Sequence, residues 1–383
     1  MSVVYTTPRG YCYSYIDGVK RRISKQQYQD IIDGELPTVE EISQNVTKYI
    51  DYPYLRYLVP EEKLASIFEA LKIDNLTNYI CNYNMSRQNT KLDKAKRLIM
   101  TRAFITGYAY EVLMEYFQED ARNKCNREGY PSPWDVYISP EYNVQWVKEY
   151  YHNILQGDVY SEDTIRSLRK TIYKKNCDAF PANLALWLMN KWKPKKILMM
   201  CGAWGDEIIA TMAYGQHTLL TAVDPNKAAV ENWYDMINFY DPENVDKYKF
   251  HIKPFEEVVL TPEESGFDLM YSSPPYFSAE HYSEDEGQSY LKFRTREDWL
   301  VGFLRPSLEK VWALMNFNGV VVLALNDVII DGVEVRLVQP MHDIMDSFKD
   351  SKYIGTYGFK KMKSQKNYQP LFCWQKQIQK HKP

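Results

Sequence analysis

Glycine is scarce in this chain, with 16 in 383 residues, and its six cysteines contain no C-x-x-C pair. Cys12, Cys81, Cys125, Cys177, Cys201 and Cys373 are scattered, which predicts reduced thiols rather than a disulfide framework. The six histidines do not fall at ligand spacing with them, so no metal site is expected. No run approaches the roughly 18 apolar residues of a membrane-spanning helix. Met1–Lys20 has no apolar signal core, so a cytoplasmic or nuclear location is expected. Nor is there an excess of positive charge. Lys and Arg number 47 against 50 Asp and Glu, a net charge of −3, so any polyanion-binding surface must be a local patch. Internal repeats and low-complexity segments are absent.

What is present is ordinary globular usage, with 45% hydrophobic and 25% charged residues. The length suggests two to three domains at roughly 150 residues each. Two halves differ in pattern. Residues 1–175 read as a mostly helical domain, with apolar residues at three- and four-residue spacing in Phe68–Ile80 and Leu92–Phe117. Within the second of these lie Leu98, Ile99, Ala103, Ile105 and Tyr108. Residues 176–383 alternate short apolar runs with helical stretches. The strand candidates are residues 196–200, 219–223, 267–271, 320–325 and 371–374. Helices are expected over residues 179–192, 207–214, 227–239 and 296–314. Such alternation predicts an α/β domain with a mostly parallel, Rossmann-like sheet, whose ligands sit beyond the carboxyl ends of the strands.

The polar residues do follow the strands. The first runs into Cys201-Gly202-Ala203-Trp204-Gly205-Asp206. Small residues there let the backbone pass close to a ligand, and a purely structural turn uses the same residues. The second ends in Asp224, about 20 residues on, where an acid grips a ribose diol in doubly wound nucleoside sites. Asp before Pro225 also suits a helix N-cap. The run Phe267–Ser272 leads into Ser273-Pro274-Pro275-Tyr276-Phe277. The two prolines stiffen the turn and remove two N–H groups, so carbonyls are presented without competing donors. Ser273 and the Pro274 carbonyl can accept from an exocyclic base amine, and Tyr276 offers a face for stacking. A rigid proline turn is the alternative.

The order of a phenylalanine-led helix, a glycine turn, an acid and a strand ending in Ser-Pro-Pro-Tyr resembles the class I S-adenosylmethionine-dependent amino-methyltransferases. These modify adenine or cytosine at the exocyclic amine. The stretch from Ser272 to Gly319 is similar to methylase-like proteins of phages and large DNA viruses. The resemblance covers about residues 176–376. It implies S-adenosylmethionine as cofactor, held by Phe180, Cys201, Gly202, Trp204, Gly205 and Asp224. It makes Ser273, Pro274, Pro275 and Tyr276 the catalytic loop, and Leu371–Trp374 a final antiparallel strand. Relatives open the glycine turn with an acid. Here Met199 and Met200 stand in that region, and Asp206, just after the turn, is the candidate substitute.

The resemblance makes nucleic acid the expected partner, DNA ahead of RNA, with no membrane association and with a homo- or heterodimer as one possible assembly. Lys360, Lys361, Lys363 and Lys366 form a candidate phosphate-binding patch. Further basic clusters are Arg166–Lys175 with Lys191–Lys196, and Lys91–Arg102. Glu280, Glu284, Asp285 and Glu286 would repel phosphate and suggest a mobile lid. Two other functions fit the same residues. One is a catalytically degenerate subunit that binds nucleic acid or a partner protein. The other is an RNA adenine methyltransferase, including one acting on a cap.

Overall fold

The computed structural model describes residues 4–6, 12–16, 19–23, 29, 59–74, 80–84, 99–104, 110–127, 130–138, 177, 179–360 and 369–378. They fall into two compact units, residues 1–59 with 122–176, and residues 60–121 with 177–383. In the first, Val4–Thr6, Cys12–Ile16 and Val19–Ile23 form a three-stranded antiparallel sheet, with Ile16 opposite Val19. The Asp-Gly pair between those partners in the sequence is a hairpin signal that the helical reading passed over. The short helix Pro133–Ile138 in the same unit starts at Ser132, whose Oγ donates to Asp135 Oδ2 (2.7 Å).

The second unit is built on a nine-stranded sheet. Its strands are β1 (Ile80–Asn84), β2 (Ile99–Phe104), β3 (Lys196–Met199), β4 (Leu219–Val223) and β5 (Tyr248–His251). There follow β6 (Phe267–Ser272), β7 (Met315–Ala324), β8 (Ser351–Lys360) and β9 (Gln369–Lys376). They lie in the order β1-β2-β8-β9-β7-β6-β3-β4-β5. From β5 to β7 every pairing is parallel. β9 runs antiparallel between β7 and β8. This order, with its inserted antiparallel strand, is the Rossmann-like class I methyltransferase fold. β2 and β1 extend it beyond β8, the first parallel and the second antiparallel to its neighbour.

The helices of this unit are α1 (Glu61–Lys72), α2 (Glu111–Asn123), α3 (Ala182–Trp192), α4 (Asp206–Tyr214), α5 (Lys227–Tyr240), α6 (Arg305–Leu314) and α7 (Val338–Ser347). β3 and β6 are almost continuously apolar because both of their faces are covered. One core cluster gathers Trp299, Phe303, Leu308, Trp312, Met341 and Trp374 around the sheet. α2 is fastened to α5 by Gln118, whose Nε2 donates to Ala229 O (2.9 Å) while its Oε1 accepts from Asn232 (3.1 Å).

Several elements differ from the sequence expectation. Leu92–Phe117 is not one helix, since it contains β2 and only the first half of α2. Its apolar spacing suits either state locally, and pairing with β8 decides for the strand. The two compact units do not follow a single cut in the chain, since residues 60–121 group with the large sheet. The edge strand β5, the strand β8 and helix α7 are additional to the elements expected. Cys201 and Cys373 are free thiols, whereas Cys125 and Cys177 are disulfide-bonded. The six-thiol reading is corrected there, as no spacing signature marks either residue. Among the described residues no helix is long and apolar enough to cross a membrane.

Candidate functional site

The chain reverses its direction of travel across the sheet between β3 and β6. From β3 it proceeds outward through β4 to β5, then returns to β6 and continues to β7. The carboxyl ends of β3, β4 and β6 therefore flank the topological switch point, where parallel sheets leave a crevice. A cleft lies there, its mouth open to solvent. It is lined from β3 by Met200, Cys201, Ala203 and Trp204, from β4 by Asp224–Asn226, and from β6 by Ser273 and Pro275. Pro254, Phe255 and Glu256, which follow β5, supply another wall. Tyr282, Gly287, Gln288 and Ser289 complete the lining.

Asp224 organises the bottom of this cleft. Its Oδ2 accepts from the Ala203 N–H (2.9 Å) and its Oδ1 from the Asn226 N–H (2.9 Å). The N-cap of α5 is Asn226, whose side chain accepts from Ala229 N, so Asp224 is not the helix cap. Each carboxylate oxygen keeps a lone pair for a further donor. Burial pushes the Asp224 carboxyl up to about 6, against the pull of the two backbone donors, and Asp285 adds to the rise. Cys201 is a neutral wall rather than a nucleophile. Burial holds its thiol well above the usual range, with Asp224 and Glu256 contributing.

The two turn glycines do not face the cleft. A Cβ on Gly202 would lie 2.4 Å from Trp233 Cη2, and one on Gly205 2.9 Å from Trp233 Cδ1. The absent side chains make room for a fully buried tryptophan of α5. Gly205 also adopts φ 90°, which favours glycine. Trp204 lines the cleft and meets the Tyr282 ring edge-on at 5.8 Å.

Pro274 is buried, while Tyr276 packs part of its ring on the core cluster. The Ser273 Oγ to Tyr276 Oη separation of 3.5 Å is too long for a strong bond, so the Ser273 hydroxyl keeps capacity for a ligand. Phe277, next in the chain, has φ 58°, a strained value for a non-glycine residue directly beside the loop. Phe180 stands apart from the cleft lining. Its ring meets Tyr271 at 4.6 Å and Phe359 at 5.5 Å.

Behind the turn lies Glu207, 4% exposed, whose carboxyl burial pushes up to about 8, with Asp224 adding to the rise. Asp206 is equally buried at 2%. Both acids follow the turn, whereas the resemblance leads one to expect an acid before it.

The segment after the Ser273–Tyr276 loop is fastened by side chains rather than loose. Gln288 Nε2 donates to Ser283 Oγ (3.1 Å), Ser283 Oγ to Asp285 (2.6 Å), and Trp299 Nε1 to Ser289 Oγ (3.2 Å). Lys292 pairs with both Glu256 and Glu257. Gly287 presses between two prolines, with Pro225 Cβ and Pro254 Cγ 2.9 and 3.0 Å from where its Cβ would be. Of the cleft lining, Pro254, Phe255 and Glu256 had no motif in the sequence. The missed strand β5 was the signal, because ligand residues follow strand ends.

Lys361, Lys363 and Lys366 lie outside the described residues, as does the side chain of Lys360. Residues 166–175, Lys91, Lys94, Lys96 and Arg97 also lie outside them, and of Arg102 only the backbone is described. Lys195 and Lys196 are engaged within the fold, donating to Gln216 O (3.0 Å) and Glu263 O (2.9 Å). Among the described residues no three His, Cys, Asp or Glu side chains converge on a metal position.

No protein-family profile matches the chain, and no curated protein matches it in sequence. Solved structures do align with it. The tRNA m1G37 methyltransferase of M. jannaschii is 12% identical at a TM-score of 0.35, over 53% of this chain and 50% of that one. TrmN from Thermus thermophilus is 13% identical at 0.33, over 51% and 48%. A SAM-dependent O-methyltransferase from Thermotoga maritima is 8% identical at 0.35, over 56% and 72%. The chain thus spans about half the length of the first two of these proteins.

Proposed function

We propose that the chain is an S-adenosylmethionine-dependent methyltransferase acting on an exocyclic amine of adenine or cytosine in a nucleic acid, DNA in the first place. One observation carries the reading. Asp224, Ser273 and Pro275, which follow separate strands, line a single cleft at the switch point. Its residues fit the cofactor. The Asp224 oxygens have lone pairs left for a diol, and Phe255, Pro225, Pro254 and Phe303 give apolar walls for a base. Glu256 Oε2 is a buried acceptor without a partner.

The cofactor, when bound, supplies a methyl group on a positively charged sulfur. The chain's part is to prepare the amine, whose lone pair is delocalised into the ring. Ser273 Oγ and the Pro274 carbonyl accept its hydrogens and draw the nitrogen toward tetrahedral geometry. Tyr276 stacks on the extruded base, a contact worth about 1–3 kcal/mol. Asp224 and the apolar walls would hold the cofactor, which would supply the methyl group to this nitrogen and keep the S–C electron pair, and the amine proton would leave to solvent.

Radiolabelled methyl transfer to DNA and RNA pools, followed by nucleoside analysis, tests this. Label in N6-methyladenine or N4-methylcytosine of DNA is expected, and lost in Ser273→Ala. Label confined to RNA moves the substrate to RNA, and label on a ring nitrogen or on protein overturns the reading. A rival draws on Met199 and Met200, both fully buried where relatives carry an acid. In it the fold binds nucleic acid without transferring a methyl group, and no pool is labelled.

A further inference from the structure

The three-stranded sheet of the first unit has a composition that the cleft chemistry leaves unused. Its strands are Val4–Thr6, Cys12–Ile16 and Val19–Ile23, with Cys12–Ile16 in the middle. Cross-strand partners lie on the same face of a sheet, and successive residues of a strand alternate between faces. In the observed register Tyr13 is opposite Tyr5 on one side and Arg22 on the other. Two residues further along, Tyr15 is opposite Lys20. One face therefore carries Tyr5, Tyr13, Tyr15, Lys20 and Arg22. The other carries the aliphatic residues Val4, Ile16, Val19 and Ile23, and also Arg21. Antiparallel sheets that pack on one face segregate their residues in this way.

The charge is one-sided as well. No acid lies in these strands, although the chain as a whole has a net charge of −3. Bases stack on aromatic rings whatever their sequence, and phosphates pair with Lys and Arg, so tyrosines and cations on one face suit a single strand of nucleic acid. Positions 13 and 15 are roughly 7 Å apart along the middle strand. An extended strand of nucleotides can match that step, whereas a stacked duplex, at about 3.4 Å per base, cannot. An acidic peptide would pair with the cations and leave the tyrosines without a role.

We propose that the face formed by Tyr5, Tyr13, Tyr15, Lys20 and Arg22 binds single-stranded DNA, the tyrosines stacking on bases and the two cations pairing with phosphates. The choice of DNA over RNA rests on the function proposed above, to which this face adds a binding surface outside the cleft.

The test follows binding of a fluorescein-labelled single-stranded DNA to the full chain by fluorescence anisotropy, across about 50–200 mM salt. Tyr13→Ala is expected to weaken binding roughly 5- to 150-fold through the loss of one base stack. Tyr13→Phe keeps the ring and is expected to stay within about twofold of the wild type. Lys20→Gln with Arg22→Gln is expected to make the slope of log K against log salt shallower by roughly 1.4, for two phosphate contacts. Arg21→Gln, between them in the chain but on the opposite face, is expected to leave the slope unchanged. These charge variants carry the test if Tyr13→Ala fails to fold. Equal changes of slope from all three cations overturn the assignment, as does a folded Tyr13→Ala chain that binds like the wild type. A duplex or a poly-glutamate chain bound as tightly as the single strand overturns it too, since neither offers bases to the tyrosines. Tighter binding of RNA of the same sequence overturns the choice of DNA. Methyl transfer is scored separately. Label in DNA from a chain that binds no single strand overturns this face alone, whereas strand binding that responds to Tyr13→Ala, with no pool labelled, supports the face and counts against methyl transfer alone.

Discussion

Replacing Gly202 by alanine tests why the turn after β3 needs a glycine. The added methyl would sit 2.4 and 2.6 Å from Cη2 and Cζ2 of Trp233, about 1 Å inside ordinary van der Waals contact. The indole cannot swing away easily. It is fully buried and meets the Phe250 ring edge-on at 5.1 Å. Overpacking of this kind costs about 1–3 kcal/mol. That corresponds to a Tm lower by roughly 2–12 °C at about 2–4 °C per kcal/mol. Trp233→Leu alone opens a cavity and costs about 2–4 kcal/mol. In the double variant the new methyl has room, so its penalty should vanish. Denaturant melts of the four proteins should give a coupling of about 1–3 kcal/mol. Strict additivity would refute the packing explanation. So would a Gly202→Ala protein of unchanged stability that no longer binds nucleoside, since the glycine would then be serving ligand approach.

Other consequences concern charge and the closing segment. Below pH about 6 the Asp224 carboxyl takes up a proton, so calorimetric affinity for S-adenosylhomocysteine should fall as pH drops from 7.5 to 5, and Asp224→Asn should flatten the profile. Glu207 is pushed up to about 8 in the folded chain, so the unfolded chain releases that proton first as pH rises from 4.5. Stability is therefore lost between pH 4.5 and 8, and Glu207→Gln should gain Tm over wild type progressively across that range. A difference independent of pH contradicts the burial of this acid. Gly287→Ala should push its segment off Pro225 and Pro254 and weaken nucleoside binding several-fold more than it lowers Tm, read by paired calorimetry and melts. Lys310→Met removes the donor shared by three carbonyls and should cost about 1–3 kcal/mol in denaturant melts.

The centre of the fold was legible because its strands are buried on both faces. Lys196–Met199, Leu219–Val223 and Phe267–Ser272 stand out as short apolar runs, and the residues that follow them reach the cleft. The edges were not legible. Tyr248-Lys-Phe-His251 alternates polar and aromatic residues at the sheet margin. Ser351–Lys360 carries two glycines and gains its strand state from two neighbours. Missing the first of these concealed the wall from Pro254 to Glu256. The spacing of Leu98, Ile99 and Ala103 suited a helix locally, and only pairing with a strand some 250 residues away decides otherwise. Within the site, the loop Ser273–Tyr276 and Asp224 could be placed from sequence. The role of the glycines could not, because Trp233 lies about 30 residues on and carries no motif.

The most direct measurement is calorimetric titration of the full chain with S-adenosylmethionine and S-adenosylhomocysteine, beside Asp224→Ala. Binding at micromolar level is expected for the wild type, with a loss of roughly 10- to 100-fold or more in the variant, as for a charged hydrogen-bond partner removed from a diol. No heat of binding up to millimolar ligand, in a protein that melts cooperatively, would contradict the nucleoside cleft and the methyl-transfer function drawn from it.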